Sequence, residues 1–110
     1  MKNLKDTILI VDDNPNNLKV VAGVLKEKGY DFRMAKSGKS ALNILEKTKP
    51  DLILLDVQMP EMDGFETCKR IKQDESNANI PVVYLTANTD SDSIKKAFTS
   101  GGVDYVTKPF

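Results

Sequence analysis

The stretch ILIVDDNPNN, residues 8–17, decides the fold of this 110-residue chain. Four branched apolar residues run directly into two aspartates, Asp12 and Asp13. Asn14 is a favourable helix N-cap and Pro15 suits the first helical position. The stretch therefore predicts a buried strand, a turn and a helix, and its two carboxylates are either ordinary turn residues or ligands for something positively charged.

The rest of the chain repeats this alternation of apolar runs and helical patterns. Strands are predicted at residues 8–11, 30–35, 51–56, 82–86 and 103–107. Helices are predicted from Asn14 to Gly29, from Ser37 to before Pro50, after Gly64, and over residues 91–100. Nearly continuous apolar strands are typical of parallel sheets, whereas the more polar YDFRMA, residues 30–35, suits an edge. The pattern predicts one α/β domain with right-handed crossovers.

Apolar residues at spacings of three and four predict which side of each helix faces the sheet. These positions are Leu18, Val21, Ala22 and Leu25, then Ala41, Leu42, Ile44 and Leu45, then Phe65, Cys68 and Ile71, and finally Ile94, Ala97 and Phe98. Cys68 is interpreted as a small buried apolar residue, not as a redox sensor.

Composition excludes several classes of function. Sixteen basic residues balance sixteen acidic ones, so no field of one sign exists to attract nucleic acid or an anionic membrane. No apolar run approaches the roughly 20 residues that span a bilayer, and the N-terminus has no signal-peptide pattern, so we expect a cytoplasmic protein. The sequence has no histidine and one cysteine, which excludes histidine-based triads, histidine zinc sites and an internal disulfide.

Polar residues end four of the five predicted strands. Asp12 and Asp13 follow the first, Asp56 ends the third, Thr86 ends the fourth, and Lys108 follows the fifth. Parallel strands bring their carboxyl ends to one edge of a sheet, where ligands bind. Three carboxylates, a hydroxyl and an ammonium are therefore expected to converge there.

The convergence of these groups suits phosphoryl transfer. Three neighbouring carboxylates repel one another, and Mg²⁺ with its preference for oxygen ligands relieves that repulsion. Lys108 offers a point charge for a phosphate oxygen and Thr86 offers a hydroxyl. A carboxylate nucleophile beside such groups can accept a phosphoryl group. Asp56 is the best candidate because it is the lone acid at the end of the most central apolar strand.

Four motifs in order resemble the receiver domain of two-component response regulators. They are VDDN (11–14), LLDVQMPEMDG (54–64), LTA (85–87) and DYVTKPF (104–110). The resemblance implies a CheY-like, flavodoxin-like, doubly wound five-stranded parallel sheet in the order 2-1-3-4-5. It also implies that residues 1–110 form one receiver domain, truncated after strand five. Receivers normally continue into a fifth helix that this chain lacks, so we expect apolar residues on one sheet face to be exposed.

The resemblance implies a metal site at the acidic residues. Asp56 matches the phosphorylated aspartate. Asp13, Asp56 and the main-chain carbonyl of Gln58 match direct Mg²⁺ ligands, and Asp12 matches the acid that reaches the metal mainly through water.

The resemblance also implies a switch. Lys108 matches the lysine that contacts the phosphoryl group, and its bond to Pro109 matches a cis peptide. Thr86 matches the hydroxyl that moves toward the phosphoryl group, and Tyr105 matches the aromatic residue that turns inward when it does. The loop after the acceptor, which includes Asp63-Gly64, matches one in which glycine permits an unusual φ.

The implied function is that of a phosphoacceptor in signal transduction. The donor is a partner histidine kinase or histidine phosphotransfer protein, since this chain has no histidine. The resemblance implies no enzymatic turnover beyond self-phosphorylation and autodephosphorylation. The expected partners also include an output domain or downstream protein, and a second copy of the chain in a dimer, but no nucleic acid or membrane.

The sequence allows three other interpretations. AKSGKSA, residues 35–41, contains the end of a Walker A loop, but Arg33 stands where the first glycine must be, so Ser37 is interpreted as a helix cap. A haloacid dehalogenase phosphatase also uses an aspartate nucleophile and Mg²⁺, but it carries that nucleophile after strand one and would show sustained turnover of a phosphomonoester. A degenerate receiver that only binds protein would take up no phosphate from acetyl phosphate.

Overall fold

Strands and helices alternate throughout this computed structural model, which describes residues 6–86 and 91–107. The elements are β1 (Thr7–Val11), α1 (Pro15–Glu27), β2 (Asp31–Ala35), α2 (Gly38–Leu45), β3 (Leu52–Asp56), α3 (Gly64–Gln73), β4 (Val82–Thr86), α4 (Ser91–Thr99) and β5 (Asp104–Thr107). The five strands and four helices confirm the predicted alternation. Most bounds shift by one or two residues, whereas α2 already ends at Leu45, well before Pro50.

All five strands lie in one parallel sheet with the order β2-β1-β3-β4-β5. β3 is the central strand and β2 lies at an edge, as the sequence predicts. The register pairs Val11 with Leu55 and Thr86 with Thr107. The carboxyl ends of the strands therefore lie along one edge of the sheet, where the polar residues are found.

The two faces of the sheet are covered differently. On one face α1 packs its buried Leu18, Ala22 and Leu25 against Ile8 and Ile10. The other face carries α2, α3 and α4 over a larger cluster that is centred on Leu9, Val11, Ile53, Leu55 and Tyr84. β1 contributes side chains to both clusters, because successive side chains of a strand point to opposite faces of the sheet.

The face that carries α1 is partly open. Val20, Val24 and Val106 are 50%, 50% and 45% exposed. With Leu54 and Leu85 they line an apolar groove between α1 and β5. This exposure agrees with the expectation that one sheet face has incomplete cover. Among the described residues, no helix has both the length and the apolar character needed to cross a membrane.

Side-chain caps set the starts of three helices. The Asn14 side chain accepts hydrogen bonds from the main-chain N–H groups of Asn16 and Asn17. Ser37 caps α2 and Asp63 caps α3 in the same manner. These bonds satisfy N–H groups that have no partner within the helix. The interpretation of Ser37 as a helix cap is confirmed.

Phe98 corrects one prediction. It was expected to face the sheet with Ala97, but it is 47% exposed whereas Ala97 is 4% exposed. Adjacent helical residues point about 100° apart, and α4 lies over the β4–β5 edge of the sheet, so only one of the two is covered. Phe98 instead lies edge-on to the Tyr105 ring, with 6.4 Å between ring centroids.

Candidate functional site

Three carboxylates meet where β1 and β3 end. Asp12, Asp13 and Asp56 each offer an oxygen atom, and these atoms lie within 4.8 Å of one another. The arrangement follows from the register, because the two strands are parallel neighbours and both end at this edge. The structure thus brings together the three acids that the sequence singled out.

The three acids differ in exposure. Asp12 and Asp56 are 1% and 4% exposed, whereas Asp13 is exposed to solvent. One Asp12 oxygen accepts a 2.9 Å hydrogen bond from the main-chain N–H of Asn14, which ties the carboxylate to the start of α1. The buried Asp12 and Asp56 are fixed by the surrounding protein, whereas the exposed Asp13 leaves the site accessible from solvent.

This donor set fits Mg²⁺. All three side chains supply hard oxygen ligands, and their spacing lets one small cation contact or approach all of them. A divalent cation would also offset the mutual repulsion of the three charges. The chemistry of the site therefore favours a magnesium ion over a thiolate- or imidazole-bound transition metal.

The loop after β3 forms the outer wall of the site. An open cleft is lined by Asp13, by residues 57–60 and by Asp63. Val57 ties this loop to the sheet, since its N–H donates to the Leu85 carbonyl at 3.3 Å and its carbonyl accepts from the Gly64 N–H at 2.8 Å. Gln58 lies in this wall and is exposed.

Gly64 is required for a different reason from the one predicted. Its φ is not positive; within the described residues of this loop the positive φ belongs to Glu61, at 68°. A Cβ atom on Gly64 would lie 2.2 Å from the Asp56 carbonyl oxygen and 2.9 Å from the Val57 Cα atom. Glycine is present because the start of α3 packs directly on the backbone at the end of β3.

Thr86 and Tyr105, the residues expected to form the switch, lie on β4 and on the neighbouring edge strand β5. Thr86 is 7% exposed at the end of β4, and Tyr105 is partly buried on β5. A small cavity between them is lined also by Phe65, Ile94 and Ala97. Lys108 and its bond to Pro109 lie outside the described residues.

A hydrogen-bonded tyrosine two residues before Thr86 was not predicted. The Tyr84 side chain is fully buried, and its hydroxyl lies 2.6 Å from the Ser100 Oγ atom. Burial raises the pKa of Tyr84, and a hydrogen bond with Cys68 raises it further. The sequence does contain a signal for this bond, a tyrosine in the middle of the apolar run VVYLT. A buried tyrosine usually needs a hydrogen-bond partner for its hydroxyl.

Cys68 is buried on α3, as predicted. Burial raises the pKa of its thiol, while the hydrogen bond with Tyr84 and the charge of Lys72 act in the opposite direction. The thiol is therefore held in its neutral form, which agrees with a packing role.

Comparison with known proteins defines the class. The sequence matches the family described as response regulator receiver domain over residues 8–110. The chain belongs to this family. It is thus a receiver domain of two-component signal transduction, a class whose members are generally phosphoacceptors without enzymatic turnover and interact with histidine kinases and output domains.

Several characterised proteins are similar in sequence to this chain. The chain is 44% identical over 103 residues to a probable cyclic di-GMP phosphodiesterase of Vibrio cholerae. The matched region covers 94% of this chain and 23% of that protein. Across the first three curated relatives, the chain spans 23% to 47% of their lengths.

Solved structures agree in fold. The chemotaxis protein CheY4 of Vibrio cholerae has a TM-score of 0.94 at 30% identity, covering 97% of this chain and 89% of that one. The receiver domain of the sensor histidine kinase PA1611 from Pseudomonas aeruginosa has a TM-score of 0.89 at 32% identity, covering 97% and 88%. That domain holds a magnesium ion in its active-site cleft. The family match also sets aside the haloacid dehalogenase alternative.

Proposed function

We propose that Asp56 is the residue that accepts the phosphoryl group in this receiver domain, with Mg²⁺ at the adjoining acidic site. The cluster of three carboxylate oxygens within 4.8 Å at the end of the central strand carries this proposal. Asp56 is the acid on the central strand, and its carboxylate lies within 4.8 Å of that of Asp13, which lines the open cleft in front of the loop after β3.

The transfer is a displacement at phosphorus. An oxygen of Asp56 attacks the phosphorus of a phosphohistidine on the donor protein, and a P–O bond forms as the P–N bond breaks. The electron pair stays on the imidazole nitrogen, which takes up a proton. The product is an acyl phosphate on Asp56, which water later hydrolyses to return the carboxylate and free phosphate.

Four groups hold the cation in this proposal. Asp13, Asp56 and the main-chain carbonyl of Gln58 would bind it directly, and Asp12 would reach it mainly through water. When bound, Mg²⁺ neutralises the oxygens of the transferred group. Burial of Asp12 and its hydrogen bond from Asn14 keep that carboxylate in place at the site.

Two residues bind the oxygens of the phosphoryl group on Asp56. Thr86 donates its hydroxyl to a phosphoryl oxygen, and Lys108 pairs its ammonium with another. Movement of Thr86 frees space beside the small cavity near Tyr105, which turns inward as the switch. The changed surface of α4 and β5 is what a partner would bind.

The proposal extends to location and partners. Residues 1–110 form one receiver domain that works in the cytoplasm, without turnover beyond its own phosphorylation and dephosphorylation. Its partners are a histidine kinase or histidine phosphotransfer protein, an output domain or downstream protein, and a second copy of the chain. Nucleic acid and membrane are not partners, since basic and acidic residues are equal in number.

Mass spectrometry after treatment with acetyl phosphate and Mg²⁺ tests the acceptor. We expect the unaltered chain to gain one phosphoryl group, and the Asp56→Asn variant and a sample with EDTA to gain none. Asp51→Asn is the matched control, because Asp51 lies just before the other end of β3, where it accepts a 2.8 Å hydrogen bond from the Thr7 N–H. Uptake by Asp56→Asn, or no uptake by the unaltered chain, would contradict the proposal, and the second result would indicate a degenerate receiver.

A further inference from the structure

Tyr84 links β4 to the C-terminal end of α4, which we define as residues 98–102. Its side chain lies on the same face of β4 as Thr86, two residues along the strand. The ring is fully buried and lies 5.2 Å from the Phe65 ring on α3. The hydroxyl reaches Ser100 at a distance of 2.6 Å. The strand that carries the switch threonine is thus bonded directly to the far end of α4.

The direction of this hydrogen bond follows from counting protons. The single hydroxyl proton of Ser100 is donated to helix carbonyls, those of Lys96 at 2.8 Å and Ala97 at 3.1 Å. The Ser100 oxygen is then an acceptor, so Tyr84 donates to it. This hydrogen bond therefore joins β4 to the end of α4, with the Ser100 hydroxyl both donating to the helix and accepting from Tyr84.

The backbone after α4 is fitted to the Tyr84 ring. Gly101 has φ of 113°, and the N–H groups of Gly101 and Gly102 donate to the carbonyls of Phe98 and Ala97, which closes the helix. A Cβ atom on Gly102 would lie 2.5 Å from a ring carbon of Tyr84. The C-terminal end of α4 is thus held by contact with the ring as well as by the hydroxyl.

The part of α4 nearer to Thr86 is held differently. Ile94 is only partly buried and borders the small cavity that Thr86 and Tyr105 also line. A cavity removes contacts that would otherwise resist displacement. The cavity, which Ala97 and Tyr84 also line, leaves room for displacement beside Ile94, whereas Ser100 is hydrogen-bonded to Tyr84 and Gly102 packs against the tyrosine ring.

We propose that Tyr84 and Ser100 are positioning residues that fix the C-terminal end of α4 as a pivot, so that phosphorylation moves the helix by rotation about residues 98–102. This inference rests on the proposed function, because it takes phosphorylation of Asp56 as the trigger. Movement of Thr86 is transmitted to the part of the helix around Ile94. The hydrogen bond keeps the turn into β5 in place, and the helix tilts instead of shifting along its axis.

Amide hydrogen exchange with and without beryllofluoride and Mg²⁺ tests the pivot. Beryllofluoride stands in for the phosphoryl group on the acceptor carboxylate, and its bound fluorine resonance reports occupancy. In the unaltered chain we expect exchange at residues 94–97 to change and exchange at residues 98–102 to stay the same. In Tyr84→Phe we expect exchange at residues 98–102 to become about five-fold to ten-fold faster, as loss of one buried hydrogen bond predicts, and to respond to beryllofluoride.

Two further variants separate the hydrogen bond from packing. Ser100→Ala removes the same bond from the other side and should reproduce the result of Tyr84→Phe. Thr99→Ala is the matched control, because the Thr99 hydroxyl also donates to a helix carbonyl, that of Lys95 at 2.7 Å, and plays no part in the bond to Tyr84. We expect Thr99→Ala to keep the behaviour of the unaltered chain.

The outcomes distinguish the two proposals. If no bound fluorine resonance appears, the proposed function fails and this inference with it. If beryllofluoride binds and residues 98–102 of the unaltered chain respond as strongly as residues 94–97, only the pivot is overturned. The pivot is also overturned if Tyr84→Phe and Ser100→Ala behave like Thr99→Ala.

Discussion

Gly64 contributes no functional group, yet a larger residue does not fit between α3 and the end of β3. Its Cβ position lies 2.2 Å from the Asp56 carbonyl oxygen, a backbone atom that cannot swing away as a side chain can. We expect Gly64→Ala to cost about 3 kcal/mol of folding free energy through overpacking. The shift of the Asp56 backbone should also weaken Mg²⁺ binding. Urea unfolding and a magnesium titration measure the two effects.

Gly23 provides the matched control for Gly64. It lies within α1, and no heavy atom is within 4 Å of its Cβ position. Alanine has the better helix propensity, so Gly23→Ala should raise the free energy of unfolding by about 0.5–1 kcal/mol. If both alanine variants changed stability equally, close packing would not be the reason for Gly64.

At the scale of elements, α1 begins beside the cluster of three carboxylates. The Asn14 side chain accepts hydrogen bonds of 2.9 Å and 3.4 Å from the N–H groups of Asn16 and Asn17. We expect Asn14→Ala to lower the free energy of unfolding by about 1 kcal/mol, and Asn14→Ser, which keeps a capping oxygen, to restore most of it. Chemical denaturation measures both variants. An equal loss in the serine variant would show that capping is not the cause.

At the scale of the whole molecule, the burial of two ionisable side chains, Cys68 on α3 and Tyr84 on β4, makes the free energy of unfolding fall at alkaline pH. Burial raises the pKa of Cys68 above the ordinary thiol value of 9.0, and burial also raises the pKa of Tyr84. Because the folded state disfavours the thiolate, this contribution to stability is complete below pH 9.0 and is lost as pH rises toward the folded-state pKa.

The urea midpoint measured at increasing pH above 9.0 checks this dependence. We expect it to fall more steeply for the unaltered chain than for Cys68→Ala, although the alanine variant starts from a lower midpoint because it leaves a small cavity. Parallel slopes for the unaltered chain and Cys68→Ala would exclude Cys68 as a source of the alkaline loss.

The amino-acid sequence by itself determined the strands, the helices and the acids of the site. Continuous apolar runs have few alternatives to buried parallel strands, and the aspartates lie next to them in the chain, so local pattern was sufficient. Helix caps such as Ser37 were predictable for the same reason, since capping depends on residues only two or three positions away. The strand order came from resemblance to receiver domains, and the structure confirms it.

Only the tertiary structure decided which side chains meet between elements. The exposure of Phe98 depends on where α4 lies over the sheet edge, and the need for glycine at position 64 depends on how closely α3 approaches β3. The bond between Tyr84 and Ser100 joins residues 16 positions apart. Such contacts depend on distances between packed elements, which the periodicity of one element does not encode.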